Sequence, residues 1–256
     1  MRAYFKAESM KYRNSVVSKI VILMPVICVG LAAVLTHNYF VIDSYNWWYT
    51  MIYPGLVTLV CGVIGGKDKK MGNRTIVSLP CDMKKIWDAK IVYGVFIAGI
   101  ATFLLMSLTI AVSLIMEDIL QITFIMKPSL WMQILAFLIL WSSFLWQVPV
   151  CIFLSQVIGA IPMLLIHMGS YLVMSSVASL GKFYMFFPGA LASRMMCVVL
   201  GVLPNGLPAQ VGKMTFSPEL VERTSLFIGI PAAIVWFIFL WWGSRIWFER
   251  QVEKRG

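Results

Sequence analysis

The sequence predicts an all-α integral membrane protein with six transmembrane helices, an N-terminal interfacial helix and a re-entrant or external helical hairpin before the last span. Of its 256 residues, 60% are hydrophobic and 12% are charged. A soluble domain has about 45–50% apolar and about 25% charged residues, so an ordinary cytosolic protein is excluded. Uncharged stretches of span length and a one-sided distribution of Lys and Arg are the other two observations behind this prediction.

The spans follow from the gaps between charged residues. A helix needs about 20 mostly apolar residues to cross the hydrocarbon layer. One uncharged block, residues 128–181, is long enough for two spans, and Gln156, Gly159 and Pro162 indicate its turn. The predicted spans within a single transmembrane domain, residues 1–256, are about 20–41, 46–65, 91–116, 130–155, 160–180 and 224–244.

The external loop 182–223 contains an ambiguous apolar stretch. A seventh span there would place Arg194 near the middle of the membrane, at a cost of about 2.5–3.5 kcal/mol. Pro188 and the turn sequence Pro204-Asn205-Gly206 also interrupt it. We therefore predict a short hairpin outside the bilayer centre.

The net charge of +10 indicates orientation. Three segments, 1–19, 67–90 and 245–256, hold five, seven and four Lys or Arg residues. The remaining charges of the chain sum to zero, so these segments account for the whole excess. The positive-inside rule then places both termini on the cytoplasmic side of the membrane. The charge reflects topology and contact with anionic lipid, and it gives no support for nucleic acid as a partner.

No catalytic or metal-binding constellation is evident. His37 and His167 lie in no hydrolase or metalloprotease motif, and for His167 we expect a neutral ring that is hydrogen-bonded to a neighbouring helix. The five cysteines have no metal-ligand spacing, which favours buried reduced thiols. Gly66-Lys67 lacks the rest of a P-loop, so any ATP would be hydrolysed by another chain.

Two cytoplasmic segments have patterns that suit contact with a partner or with lipid. Residues 1–18 mix basic and apolar side chains, as an interfacial elbow helix does. The loop 66–90 carries apolar Ile76, Val77 and Leu79 between charged clusters, which favours a short docking helix over a solvated linker.

These features resemble a type-2 ABC exporter permease, and more narrowly a lantibiotic-immunity permease of the MutE/EpiE kind. The resemblance covers essentially the whole chain, and the sister MutG-type subunit shares several of its features. The residues that carry it are Ala7-Glu8-x-x-Lys11-Tyr12, Pro25, Asn46-Trp47-Trp48-Tyr49, Ser78-Leu79-Pro80, and Arg194-Met195-Met196 through Gly201-x-x-Pro204-Asn205-Gly206. The family tends to have Cys-Pro after the Arg-x-Met step, whereas Val198 follows Cys197 here.

The resemblance implies a transporter made of two different permeases and an ABC ATPase homodimer, which expels lantibiotic-type cationic peptides from the membrane. ATP and Mg²⁺ would bind the ATPase, and this chain would hold no cofactor. The elbow helix would include Glu8 and Lys11, and an external element would include Arg194, Pro204, Asn205 and Gly206. The implied ATPase-coupling segment is Asn73, Arg74, Thr75, Ile76, Val77, Ser78 and Leu79.

Other functions are also compatible with this sequence. A non-transporting sensor or scaffold would have the same spans, and a permease for bacitracin-type peptides or for lipids would share the architecture. An intramembrane enzyme is disfavoured because the sequence lacks converging catalytic groups.

Overall fold

The computed structural model describes residues 1–69 and 82–253. These residues form helices joined by short 3₁₀, π and irregular segments, and their only β-pairing is a single bridge between Val202 and Pro208. The α-helices are α1 (Arg2–Tyr12), α2 (Val16–Leu35), α3 (Phe40–Trp47), α4 (Tyr53–Lys69), α5 (Met83–Asp118), α6 (Leu130–Phe144), α7 (Gln147–Val157), α8 (Ala160–Ser176), α9 (Pro188–Val199) and α10 (Thr224–Glu253).

Among the described residues, six helical segments are long and apolar enough to cross a membrane, which confirms the predicted all-α class and the predicted number of spans. Large apolar side chains remain on the outer surface, including Trp131 and Phe227, which are each 79% exposed. Such a surface suits lipid and not water. The six segments are Val16–Leu35, His37–Asp68, Met83–Asp118, Leu130–Val157, Ala160–Leu180 and Thr224–Gln251.

The boundary between the first two spans differs from the prediction of 20–41 and 46–65. The first helix ends at Leu35 and the second segment begins at His37, so Asp43 lies inside a helix and not in a loop. Phe40 is fully buried, and Asp43 is only 8% exposed. The prediction was wrong because it treated the aspartate as a solvated boundary.

The cytoplasmic loop predicted at 66–90 is also shorter than expected. Helix α4 continues through Gly65 and Gly66 to Lys69, and α5 begins at Met83, well before the predicted start at residue 91. Asp82 caps α5, because its side chain accepts a hydrogen bond from the backbone N–H of Lys84 at 2.9 Å. The predicted coupling segment, residues 73–79, lies outside the described residues.

Gly65 does not break its helix but allows two helices to approach closely. A Cβ atom at this position would lie 1.9 Å from Ser155 Oγ on α7, whereas a Cβ at Gly66 would meet nothing within 4 Å. The carbonyl of Gly65 also accepts a hydrogen bond from Gln156 Nε2. Gly65, and not Gly66, therefore forms the packing contact between α4 and α7.

We expect Gly65→Ala to destabilise the protein and Gly66→Ala to leave it unchanged or slightly stabilised. Overpacking costs about 1–3 kcal/mol, while alanine gains about 1 kcal/mol over glycine in a helix. Thermal unfolding of the two purified variants in the same detergent measures the difference. Equal unfolding midpoints would show that α4 and α7 are farther apart than described here.

The remaining spans follow the predicted order with two changes. The turn at Ile158–Gly159 separates α7 from α8, as Gln156, Gly159 and Pro162 predicted. The fourth span is interrupted between Phe144 and Gln147, where α6 ends and α7 begins. The last helix runs to Glu253, beyond the predicted end at residue 244, because its polar final turns continue the helix past the apolar stretch.

Residues 182–223 contain one short helix and no further span. Helix α9 has 12 residues, Pro at its first position, and ten buried residues. It packs against α6, α8 and α10, and the chain then returns through irregular structure and the 3₁₀ turn Pro218–Val221. One arm of the predicted helical hairpin is therefore helical and the other is not.

Candidate functional site

Helix α1 is held against the start of α5 by aromatic contacts. The ring of Tyr12 stacks on Tyr93 with centroids 5.2 Å apart, and Phe5 packs edge-on against Phe96 at 5.8 Å. Tyr12 also donates a hydrogen bond to the carbonyl of Ile64 on α4 at 3.2 Å. The predicted elbow helix thus contacts both helices that flank residues 70–81.

Four charged side chains meet where these three helices join, and we call them the charge cluster: Glu8, Lys11, Asp68 and Lys90. Lys11 Nζ lies 2.7 Å from Glu8 and 3.2 Å from Asp68. Lys90 Nζ lies 3.4 Å from Glu8 and in close contact with Asp68. The Lys90 side chain is fully buried and that of Glu8 is 4% exposed, so these charges are compensated by one another and not by water.

The charge cluster is electrically balanced, with two carboxylates and two ammonium groups. Burial by itself lowers the pKa of Lys11, but hydrogen bonding and attraction to Glu8 and then to Asp68 outweigh it, so the pKa of Lys11 is raised. Lys11 therefore stays charged at neutral pH. Removing one member would leave an uncompensated buried charge, which is far costlier than losing a surface pair.

A second set of contacts fixes α5 to α10 beside the charge cluster. Asp88 accepts a hydrogen bond from Trp241 Nε1 at 2.8 Å and pairs with Arg245 at 3.5 Å. Lys84 pairs with Glu249 at 2.9 Å. The first turns of α5 are thus attached to α1 and α4 on one side and to α10 on the other. We call the end of the bundle that holds the charge cluster, Lys84 and Arg245 the basic end.

The sequence indicated Glu8 and Lys11 as site residues but did not indicate their partners. Asp68 was interpreted as part of a solvated run, and Lys90 only as the boundary of a span, whereas both are buried. The Glu8–Lys11 spacing of three residues indicated a pair on one helix face. No local pattern shows that residues 68 and 90 complete it, because they lie on two other helices.

The predicted external residue Arg194 is buried in α9 and anchors the hairpin. Its guanidinium donates hydrogen bonds to the carbonyl of Glu219 at 2.7 Å and to Ser225 Oγ at 3.1 Å. A third bond reaches the carbonyl of Ser179 at 3.4 Å, and the Tyr184 ring lies 4.9 Å away. Arg194 thereby joins the entry of the hairpin to the start of α10.

The turn Pro204-Asn205-Gly206 lies at the end of the bundle opposite the basic end. Gly206 has φ of +84°, and its N–H donates to the carbonyl of Leu203 at 2.9 Å. Asn205 Oδ1 accepts from the N–H of Leu207 at 3.1 Å. Asn46 Nδ2 on α3 donates to the carbonyl of Leu203 at 3.2 Å, so the turn is fixed to the second span.

The structure places Arg194 and this turn in one element but gives them different partners. Arg194 bonds to residues that flank the hairpin, whereas the turn bonds to Asn46. Between them lies a small apolar core of Cys197, Leu203 and Leu220. The predicted external element therefore has polar anchors at two points, in addition to the packing of α9 against α6, α8 and α10.

His167 occupies a third polar position, within the bundle. Its Nε2 lies 3.0 Å from Gln147 Oε1 on α7, which confirms the expected hydrogen bond to a neighbouring helix. On the same helix, Tyr171 donates to the carbonyl of Tyr49 at 2.7 Å, within the π-helical segment Trp48–Ile52. A side chain on another helix thereby satisfies a backbone carbonyl of this π-helical segment.

Among the described residues, no group of three or more His, Cys, Asp or Glu side chains could hold a metal ion. The four cysteines in that part of the chain, Cys28, Cys61, Cys151 and Cys197, are buried free thiols.

Comparisons with protein-family models, with curated proteins and with solved structures found no match for this chain.

Proposed function

We propose that this chain is a permease subunit of an ATP-driven ABC exporter that expels cationic amphipathic peptides of the lantibiotic type from a bacterial cell membrane. It would work with an ABC ATPase homodimer and a second, different permease, with both termini in the cytoplasm. The observation that carries the proposal is the charge cluster, which joins the N-terminal helix to both helices that flank residues 70–81.

A permease must pass movement from its ATPase to its spans. The segment 73–79 would receive that movement as the coupling helix, and in the sequence it lies between the end of α4 at Lys69 and the start of α5 at Met83. Asp68 lies near the end of α4 and Lys90 in the first turns of α5, so their ion pair ties the two helices together. Lys11 also pairs with Asp68, and this ion pair joins α1, the proposed elbow helix, to α4.

The proposed mechanism follows from these ties. Closure of the ATPase dimer would push on the coupling segment, and α4 and α5 would tilt together with α1. Through Asp88 the movement would also reach α10. Tilting of these spans would open a path for the peptide outward or sideways past the hairpin that Arg194 anchors. The identity of the peptide as a substrate is supported only by the family resemblance.

We expect genes for an ABC ATPase and a second permease beside the gene for this chain, and the test is co-expression of the three proteins. We expect the ATPase to co-purify and its hydrolysis of ATP to rise when a lantibiotic is added. Leu79→Asp should remove the ATPase from the purified complex, because a charge would enter the apolar docking face.

A matched control is Leu207→Asp, which makes the same change at an exposed leucine at the opposite end of the bundle. This variant should retain the ATPase. Retention of the ATPase by Leu79→Asp would refute the coupling assignment. A wild-type chain that binds no ATPase and stimulates no ATP hydrolysis would instead be a sensor or scaffold. Stimulation only by bacitracin-type peptides or by lipids would replace the lantibiotic as the assigned substrate.

A further inference from the structure

A lateral cavity lies beside the charge cluster, between α2, α4 and α8. Its volume is about 830 Å³, which is within the range of small-molecule sites. Val16 and Ile161 form part of its lining and are 59% and 74% exposed, so the cavity opens on the outer surface of the bundle. In the described bundle it is therefore accessible from the side.

The interior of this cavity offers aliphatic surface and few free hydrogen-bonding groups. Leu59, Val63 and Leu164 contribute aliphatic surface. The hydroxyls that line it are turned to the backbone: Thr58 Oγ1 donates to the carbonyl of Gly55 at 2.7 Å, and Ser15 Oγ to that of Tyr12 at 2.9 Å. A peptide backbone or a polar solute would find few partners there, whereas a hydrocarbon chain needs none.

The rim of the cavity is positive. Lys67 lines it, and its Nζ donates to the carbonyl of Lys11 at 2.6 Å and lies 5.1 Å from the centre of the Tyr12 ring. Within residues 1–69 and 82–253, Lys67 makes no ion pair with a carboxylate, because Asp68 and Glu8 are already paired with Lys11 and Lys90.

The first turn of α8 adds to this positive rim. Gly159, Ala160 and Ile161 line the cavity, and α8 has no side-chain cap. The first N–H groups of a helix have no partner within it and favour an anion, and here Ala160 and Ile161 supply such groups whereas Pro162 has none. The cavity thus combines an apolar interior with an ammonium group and helix amides at one edge.

We propose that this cavity binds an anionic glycerophospholipid, with one acyl chain inside and the phosphate between Lys67 and the first turn of α8. The site is independent of the proposed transport function. It would make the contact between α4 and α8 responsive to the lipid composition of the membrane beside the basic end.

Spin-labelled lipids in nanodiscs with the full-length protein test this site. We expect electron paramagnetic resonance to show a motionally restricted fraction that is larger for phosphatidylglycerol than for phosphatidylcholine. Lys67→Gln should weaken the binding of phosphatidylglycerol about fivefold, since one lysine near a membrane surface contributes about 1 kcal/mol. Inorganic phosphate should not displace the lipid, because the acyl chain supplies much of the affinity.

Gly66→Leu should reduce the restricted fraction for both lipids, because Gly66 lines the cavity and a Cβ there has open space to fill. Two matched controls, Lys19→Gln and Gly243→Leu, alter an exposed lysine and an exposed, uncrowded glycine elsewhere and should bind as the wild type does. Equal restricted fractions in all variants would overturn the proposal. So would a dimer that Gly66→Leu converts to monomer without a change in lipid binding, because a second copy would then occupy the cavity.

Discussion

Lys90→Met is expected to destabilise the protein by about 3–5 kcal/mol, the usual cost of breaking a buried ion pair. The ammonium group of Lys90 is fully buried, and its loss leaves Glu8 and Asp68 with Lys11 as their only cationic partner among the residues that the structure describes. A typical domain is stable by about 5–15 kcal/mol, so this is a large fraction of the total. Thermal unfolding in detergent measures this loss of stability. A thiol-reactive dye can follow the unfolding, because the described cysteines are buried.

The double variant Lys90→Met/Asp68→Asn tests the cause of this loss. It restores the charge balance between Lys11 and Glu8, so we expect it to recover part of the stability. Lys84→Met is the control, since Lys84 is on the same helix, is 47% exposed and pairs with Glu249. That variant should unfold close to the wild type. A Lys90→Met protein as stable as Lys84→Met would mean that water compensates the charge cluster.

Arg194→Leu is expected to release the hairpin before the last span. The substitution leaves the carbonyls of Glu219 and Ser179 and the hydroxyl of Ser225 without their charged donor. Hydrogen bonds to charged groups contribute about 1.5–3 kcal/mol each, so we expect a loss of about 3 kcal/mol or more. Arg194→Lys should recover little, because an ammonium group cannot reach three acceptors in one plane or stack on Tyr184.

Limited trypsin digestion measures this release directly. Lys213 is exposed within the irregular arm of the hairpin, and we expect cleavage after it to be several-fold faster in Arg194→Leu. Lys182→Leu, which removes a side chain that is 80% exposed, is the matched control and should leave the rate at Lys213 unchanged. Equal rates in the two variants would show that Arg194 does not hold the hairpin.

The sequence predicted the class of fold and the number of long apolar segments, but it misplaced several of their ends. Most of the misplaced ends follow from treating a charged residue as a solvated boundary, and the end of the second span follows also from interpreting Gly65-Gly66 as a helix break. Asp43, Asp68 and Lys90 each lie inside a helix and are buried. A charge ends a span only if nothing in the folded chain compensates it, and partners on other helices are not visible in a local window.

The candidate site was predicted in part for the same reason. Glu8, Lys11 and Arg194 were identified as important residues, and the structure gives each of them charged or polar partners. Those partners are distant in the sequence, since 82 residues separate Glu8 from Lys90 and 31 separate Arg194 from Ser225. The segment 73–79 stays a prediction.

By itself, the sequence determined that this is a helical membrane protein with six apolar segments and a concentration of positive charge on three of its polar segments. These properties depend on local hydropathy, helix length and charge order, which are read along the chain. Only the tertiary structure decided that Glu8, Lys11, Asp68 and Lys90 form one cluster and that Gly65 is a packing contact. The physical reason is that a buried charge finds its opposite charge, and a close helix contact requires a glycine, only where separate helices come together.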